Sequence, residues 1–202
     1  MVLGVAVLAA LSNVSRLEDA AHGLEGIAQQ QRGGLAALEV ARDRVSPDLE
    51  LTQDNSGVDY LGLLDASSYL SAVDAFGSPA YTADELRSAP EGGQVAADRV
   101  SALALRIGLA PAAGAVGTDC LTVHPSVSPT VFPVPSKGLL LRADSSGNQV
   151  ALRRFASQTF PVVLGALPRG TERLLRIPPD GSPQPWTAEL TGGGTVLTCQ
   201  AG

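Results

Sequence analysis

A chain of 202 residues with a formal charge of −6 and 45% hydrophobic residues has room for one large domain or two small ones, and enough apolar material to bury a core. The acidic balance argues against nucleic acid as a partner, because binding phosphate needs clustered Lys and Arg. With only 4% aromatic residues, the core must be built mainly from Leu, Val and Ala.

One Lys, Lys137, stands against thirteen Arg, and with the abundance of Ala and Gly this composition fits a GC-rich bacterial coding bias. Residues 1–110 carry seven basic and fifteen acidic side chains, a net of −8, while residues 111–202 carry seven and five, a net of +2. The simple account is two solvated surfaces; the alternative is two units that attract each other.

The chain begins MVLGVAVLAAL, and no charge precedes Arg16. A complete membrane helix needs about 20 apolar residues, and a signal peptide would start with a basic region. Residues 1–15 therefore read as the end of a membrane helix that starts upstream, with a short buried helix or strand as the alternative. From Arg16 a helical stripe continues. Leu17, Leu24, Gln31, Leu38 and Val45 recur every seven residues, and Ala20, Ala21, Ile27, Ala28 and Leu35 fill the adjoining positions. Gly33 and Gly34 predict a kink or break, at about 1 kcal/mol each relative to Ala. Gln29, Gln30 and Gln31 form a polar belt, and Pro47 closes the pattern with Ser46 pushed toward extended geometry.

Residues 48–57 form a turn-rich loop. Asp54, Asn55, Ser56, Gly57, Val58 and Asp59 space oxygen ligands somewhat like a calcium loop, but a bidentate Glu is missing from the twelfth position, where Asp65 stands, and the glycine falls fourth instead of sixth. A plain Asx turn fits better. Asp65 is placed to cap a helix over 66–76 with Tyr69, Leu70, Val73 and Phe76 on its buried face and Gly77 at its C-cap. Thr82 and Glu85 spell a capping box for the next helix. Pro90, Gly92 and Gly93 interrupt the chain, and a last helix is expected over 94–109 with Val95, Val100, Leu103, Leu105 and Ile107 apolar.

The run Ala75-Phe76-Gly77-Ser78-Pro79-Ala80-Tyr81, followed by Ala97-Asp98, resembles uncharacterised multi-pass membrane proteins of GC-rich bacteria, in which a long extracytoplasmic tail follows the last span. Residues 17–110 carry most of the likeness. The resemblance implies a topology and no chemistry.

From Ala110 the texture changes. Pro111, Gly114 and Gly117 lead to Cys120, and Pro125, Pro129, Pro133 and Pro135 confine that stretch to edge strands and loops. Residues 138–143 read as a strand, 145–148 as a turn, and 149–156 as a second strand closing a hairpin. Further strands fit 161–167, 172–177, 186–190 and 195–199. The expected fold class is α+β: a helical unit over 16–110, then a small antiparallel, jelly-roll-like β-sandwich over 111–202. The two cysteines, Cys120 and Cys199, bracket that sandwich and are expected to form a disulfide closing it, which points to an oxidising compartment. A redox-active pair is more often close in sequence.

No nucleophile elbow, phosphate loop or dinucleotide fingerprint occurs, and His22 and His124 belong to no triad. Two cysteines and two distant histidines lack zinc-ligand spacing. No cofactor, metal or catalytic residue is therefore assigned. The best binding candidates are Trp186, Arg153, Arg154 and Asn148, as an aromatic platform with polar neighbours for a glycan; the competing reading puts Trp186 in the sandwich core. The expected object is a non-catalytic extracytoplasmic module of a bacterial cell-envelope membrane protein, used in recognition or assembly. Its expected partners are the membrane, through the N-terminal helix, and an envelope glycan or another envelope protein. Two alternatives stand beside it. One is an accessory domain of an envelope glycosyltransferase, with catalysis elsewhere. The other is a hydrolase using paired carboxylates near Asp54 and Asp59.

Overall fold

The computed structural model describes residues 2–58, 64–125, 129–155 and 161–202, the side chains of 2–15 excepted. Helix α1 (Val2–Val40) runs unbroken for 39 residues, a length of about 58 Å. Every described side chain over 16–25 is exposed, with Leu17 and Leu24 at 70% and 68%. Only from Gly26 onward does α1 lie against the body.

The helix is not broken at Gly33 and Gly34. The glycines instead bring α1 against α5 (Glu91–Ala104). A Cβ on Gly33 would stand 2.0 Å from the Gly93 carbonyl oxygen, and one on Gly93 would stand 3.0 Å from that of Gln29. Close backbone approach offsets the propensity cost of each glycine. Helix α5 also begins earlier and ends earlier than expected. Pro90 sits at its N-cap, where no backbone donor is needed, and takes Gly92 and Gly93 into the first turn. Arg106, at φ 52°, turns the chain out, so Ile107 and Leu109 leave the helix.

Between them lie short elements. Strands β1 (Glu50–Leu51) and β2 (Leu64–Asp65) form a two-stranded ribbon. Helix α2 (Gln53–Ser56) carries a capping box of Thr52 and Asn55 and ends at Gly57 in the left-handed conformation. The calcium-like loop is thus one capped helical turn, and Asp59 lies outside the described residues. Helix α3 (Ala66–Phe76) is capped by Asp65 and ends at Gly77, and α4 (Ala83–Arg87) carries the Thr82–Glu85 capping box. Phe76 departs from expectation: it is 90% exposed, and the last α3 side chain packed on the helical core is Leu70, six residues earlier. Leu38, Leu51, Val58, Leu86, Val100 and the alanines of α1 and α5 form the helical core.

The rest is a sandwich of two antiparallel sheets. One contains β3 (Leu109–Pro111), β4 (Gly117–Val123), β6 (Leu139–Ala143), β9 (Glu172–Leu175) and β11 (Val196–Ala201) in the order β3-β9-β6-β11-β4. The other contains β5 (Thr130–Pro133), β7 (Asn148–Arg153), β8 (Val162–Leu167) and β10 (Thr187–Thr191) in the order β5-β10-β7-β8. Pro111 and Pro133 fall in edge strands, where a missing donor is tolerated. Leu141, Val150, Leu152, Leu167, Leu175, Leu190 and Val196 fill the space between the sheets, and each contributes roughly 1.5–3 kcal/mol by burial.

The expected hairpin of 138–143 with 149–156 does not form. β6 pairs with β9 and β11, whereas β7 pairs with β8 and β10 in the opposite sheet. The turn at Ser145–Gly147 carries the chain across the sandwich.

Cys120 and Cys199 are bonded, with Cα atoms 4.0 Å apart and a sequence separation of 79. They join two neighbours of one sheet. The β11–β4 register shifts between Thr198 and Gln200, so Asp119, at φ 48°, and Cys120 together face Cys199 across a bulge. A Cβ on Gly117 would meet the Cys199 Cβ at 2.7 Å, so a glycine is needed beside the bridge. Closing a loop of this size contributes about 4–5 kcal/mol on the chain-entropy model.

Candidate functional site

The four residues expected to form an exposed platform are all buried. Trp186 is 6% exposed, Arg153 8%, Arg154 5% and Asn148 0%. Asn148 closes the inter-sheet turn: its Nδ2 donates to the Ser145 carbonyl at 3.2 Å. Arg153 pairs with Glu189 across β7 and β10. Arg154 is clamped. Its Nη1 pairs with Asp180, its Nη2 donates to Ser101 Oγ at 2.6 Å, and its guanidinium lies 4.5 Å from the ring centres of both Phe155 and Trp186. A charge stacked between two aromatic faces and closed by an ion pair is a joint, not a surface for a sugar ring.

That joint fastens the two units together. Asp98, on α5 and 1% exposed, accepts the backbone N–H of Arg154 at 2.8 Å and that of Phe155 at 3.0 Å. Phe155 belongs to the helical core, Ala102 to the sandwich core, and Ile107 packs against both. The Gly181 N–H also donates to the Val40 carbonyl at 2.9 Å, tying the end of α1 to the β unit.

The other sequence candidates do not converge. Asp54 is exposed on α2 and lines none of the clefts described below. His22 is exposed on α1, and His124 Nδ1 lies 3.3 Å from Thr195 Oγ1. Among the described residues no group of three or more His, Cys, Asp or Glu side chains could hold a metal ion.

What the fold does assemble is a cleft of about 760 Å³ where the end of α1 meets the start of α4 and the loop at 179–181. Its polar lining is Glu39, Arg42, Asp43, Arg44, Tyr81, Thr82 and Asp180. Several of these groups are held from behind. Glu39 Oε1 accepts from the Tyr69 and Ser78 hydroxyls, each at 2.6 Å. Burial, and then the hydrogen bond to Glu39, push the Tyr69 hydroxyl well above its ordinary pKa. Arg42 pairs with Asp74, and Asp180 with Arg154. The Arg32 guanidinium covers Tyr81 at 4.0 Å from the ring centre and donates to the Pro79 carbonyl at 3.2 Å.

The run 75–81 is explained here: Ser78 orients Glu39, Pro79 receives Arg32, and Tyr81 forms part of the wall. The sequence signal for the rest was the cluster of alternating charges at Glu39, Arg42, Asp43 and Arg44, where the helical pattern ends. Smaller clefts lie at Gln30, Gly92 and Arg99, at about 350 Å³, and beside Trp186 among Pro135, Pro178 and Pro179, at about 250 Å³. Comparison with protein-family models, with curated proteins and with solved structures returns no match. The large cleft thus presents three carboxylates and two guanidinium groups, several of them held in place by their neighbours.

Proposed function

We propose that this chain is a non-catalytic module working on the extracytoplasmic side of a bacterial cell envelope, in recognition or assembly, with α1 as the arm that holds it near the membrane. The observation that carries the reading is the Cys120–Cys199 bridge, because a structural disulfide persists in oxidising compartments and is rare in the cytosol. The exposed part of α1 supports it: residues 12–25 put about 20 Å of helix between the apolar run at 1–11 and the body. No helix among the described residues is long and apolar enough to cross a membrane.

Protease treatment of intact cells, followed by separation of their membranes, tests this. The reading expects the chain in the membrane fraction and digested from outside. A chain that stays protected in intact cells and leaves with the soluble fraction contradicts it.

A further inference from the structure

We propose that the cleft between the end of α1 and the loop at 179–181 is a binding site for a neutral saccharide. This deepens the envelope reading, on which it rests for the source of the sugar; the chemistry rests on the cleft alone. At about 760 Å³ the space falls within the range of small-molecule sites and exceeds the two smaller clefts named above.

Its lining is polar in a particular way. Glu39, Asp43 and Asp180 only accept hydrogen bonds when ionised, whereas Arg42 and Arg44 only donate. A sugar hydroxyl does both. A pair of neighbouring hydroxyls can therefore donate to a carboxylate and accept from a guanidinium at once, which an apolar ligand cannot do. The charges nearly cancel across the cleft, so a phosphate or acidic sugar gains no net attraction.

The site is also built in advance. Glu39 is fixed by Tyr69 and Ser78, Arg42 by Asp74 and Asp180 by Arg154. A Cβ on Gly181 would stand 3.0 Å from the Val40 carbonyl, so the floor keeps the two units in contact. Groups already held in place lose little freedom on binding. The side chains of Asp43 and Arg44, by contrast, make no hydrogen bond or ion pair among the described residues, although Asp43 lies in the field of Arg42 and both are exposed on the cleft lining. They are the two charges left for a ligand.

The test is saturation-transfer NMR on the full chain in a detergent without a sugar headgroup. The probes are maltotriose, cellotriose and mannotriose, with glucuronate and inorganic phosphate as anionic probes, each to about 20 mM so that weak ligands saturate. At least one neutral trisaccharide is expected to bind saturably. Asp43→Asn or Arg44→Gln should weaken it about tenfold, the loss of one hydrogen bond to a charged group. Arg16→Gln, on the exposed arm, should leave it unchanged. Absence of saturable binding by all three neutral probes, binding by the anions alone, or equal binding by the two cleft variants overturns the proposal. Sugar binding by a chain that is protease-protected in cells overturns the envelope reading and leaves the site standing; an accessible chain that binds no sugar does the reverse.

Discussion

Asp98 accepts the backbone N–H of Arg154 at 2.8 Å across 56 residues of sequence, and that bond lies at the seam of the two units. The same carboxylate takes the Phe155 N–H at 3.0 Å, so one buried side chain of α5 holds the two residues that follow β7. Asp98→Ala leaves two buried donors without that acceptor. The expected loss is about 3–5 kcal/mol, or failure of the units to dock. Asp98→Asn keeps one carbonyl acceptor and should cost less. Urea unfolding followed by circular dichroism checks both: the alanine variant should show either a large fall in midpoint or two separate transitions.

Gly33→Ala puts a methyl group into the Gly93 carbonyl, at 2.0 Å before any adjustment. α1 and α5 must then move apart, at an expected cost of about 2–4 kcal/mol. Gly23 and Gly26, higher on the same helix, have nothing within 4 Å, so Gly23→Ala should stabilise α1 by up to about 1 kcal/mol. Thermal unfolding of the three proteins should place Gly33→Ala below the parent and Gly23→Ala at or above it.

Asp65, Glu85 and Asp144 share one electrostatic signature. Backbone donors from Ser68, Thr82 and Thr195 respectively hold each carboxyl below its ordinary value, 3.8 for the two aspartates and 4.5 for the glutamate. A carboxyl with a depressed folded pKa contributes stability that is complete above its unfolded value and disappears as pH falls through the folded one. Stability should therefore be level above about pH 5 with respect to these groups and decline below about pH 4.5. Glu85→Gln and Asp65→Asn should flatten that decline in an acid titration of the unfolding midpoint. A decline of unchanged steepness in the double variant contradicts the assignment.

Trp186 is the one tryptophan of the chain, and it is 6% exposed beneath the Arg154 guanidinium. Its emission should be blue-shifted and poorly quenched by acrylamide in the folded state, and should redden on unfolding. Saturating sugar should leave it unmoved, because the cleft does not include it. Strong quenching in the native protein would restore Trp186 as a surface group.

Much of the fold was legible where its cause is local. Asp65, Thr82 with Glu85, and Gly77 announce helix ends through groups a few residues apart, and they are found there. The later strands and the cysteine pair also sit where alternation, turns and spacing put them. Legibility fails where the cause lies far along the chain. Gly33 reads as a breaker until Gly93 lies against it, sixty residues on. Ser145–Asn148 signals a reversal but not which sheet receives the next strand. Arg153, Arg154 and Trp186 have the composition of a binding surface, and only Asp98, Ser101, Asp180 and Glu189, brought from elsewhere, turn them into an interior joint. Glu39 and Arg42 gain a site only when the loop at 179–181 arrives beside them.

The central claim, an extracytoplasmic module closed by its disulfide, is tested most directly by the state of Cys120 and Cys199 in the producing cell. Cells are quenched in acid, free thiols are blocked with a heavy maleimide, and the native chain is followed by gel shift with and without prior reduction. The account predicts no shift before reduction and a two-thiol shift after it. A two-thiol shift without reduction, with the chain still folded, would show Cys120 and Cys199 as free thiols in a reducing compartment and contradict it.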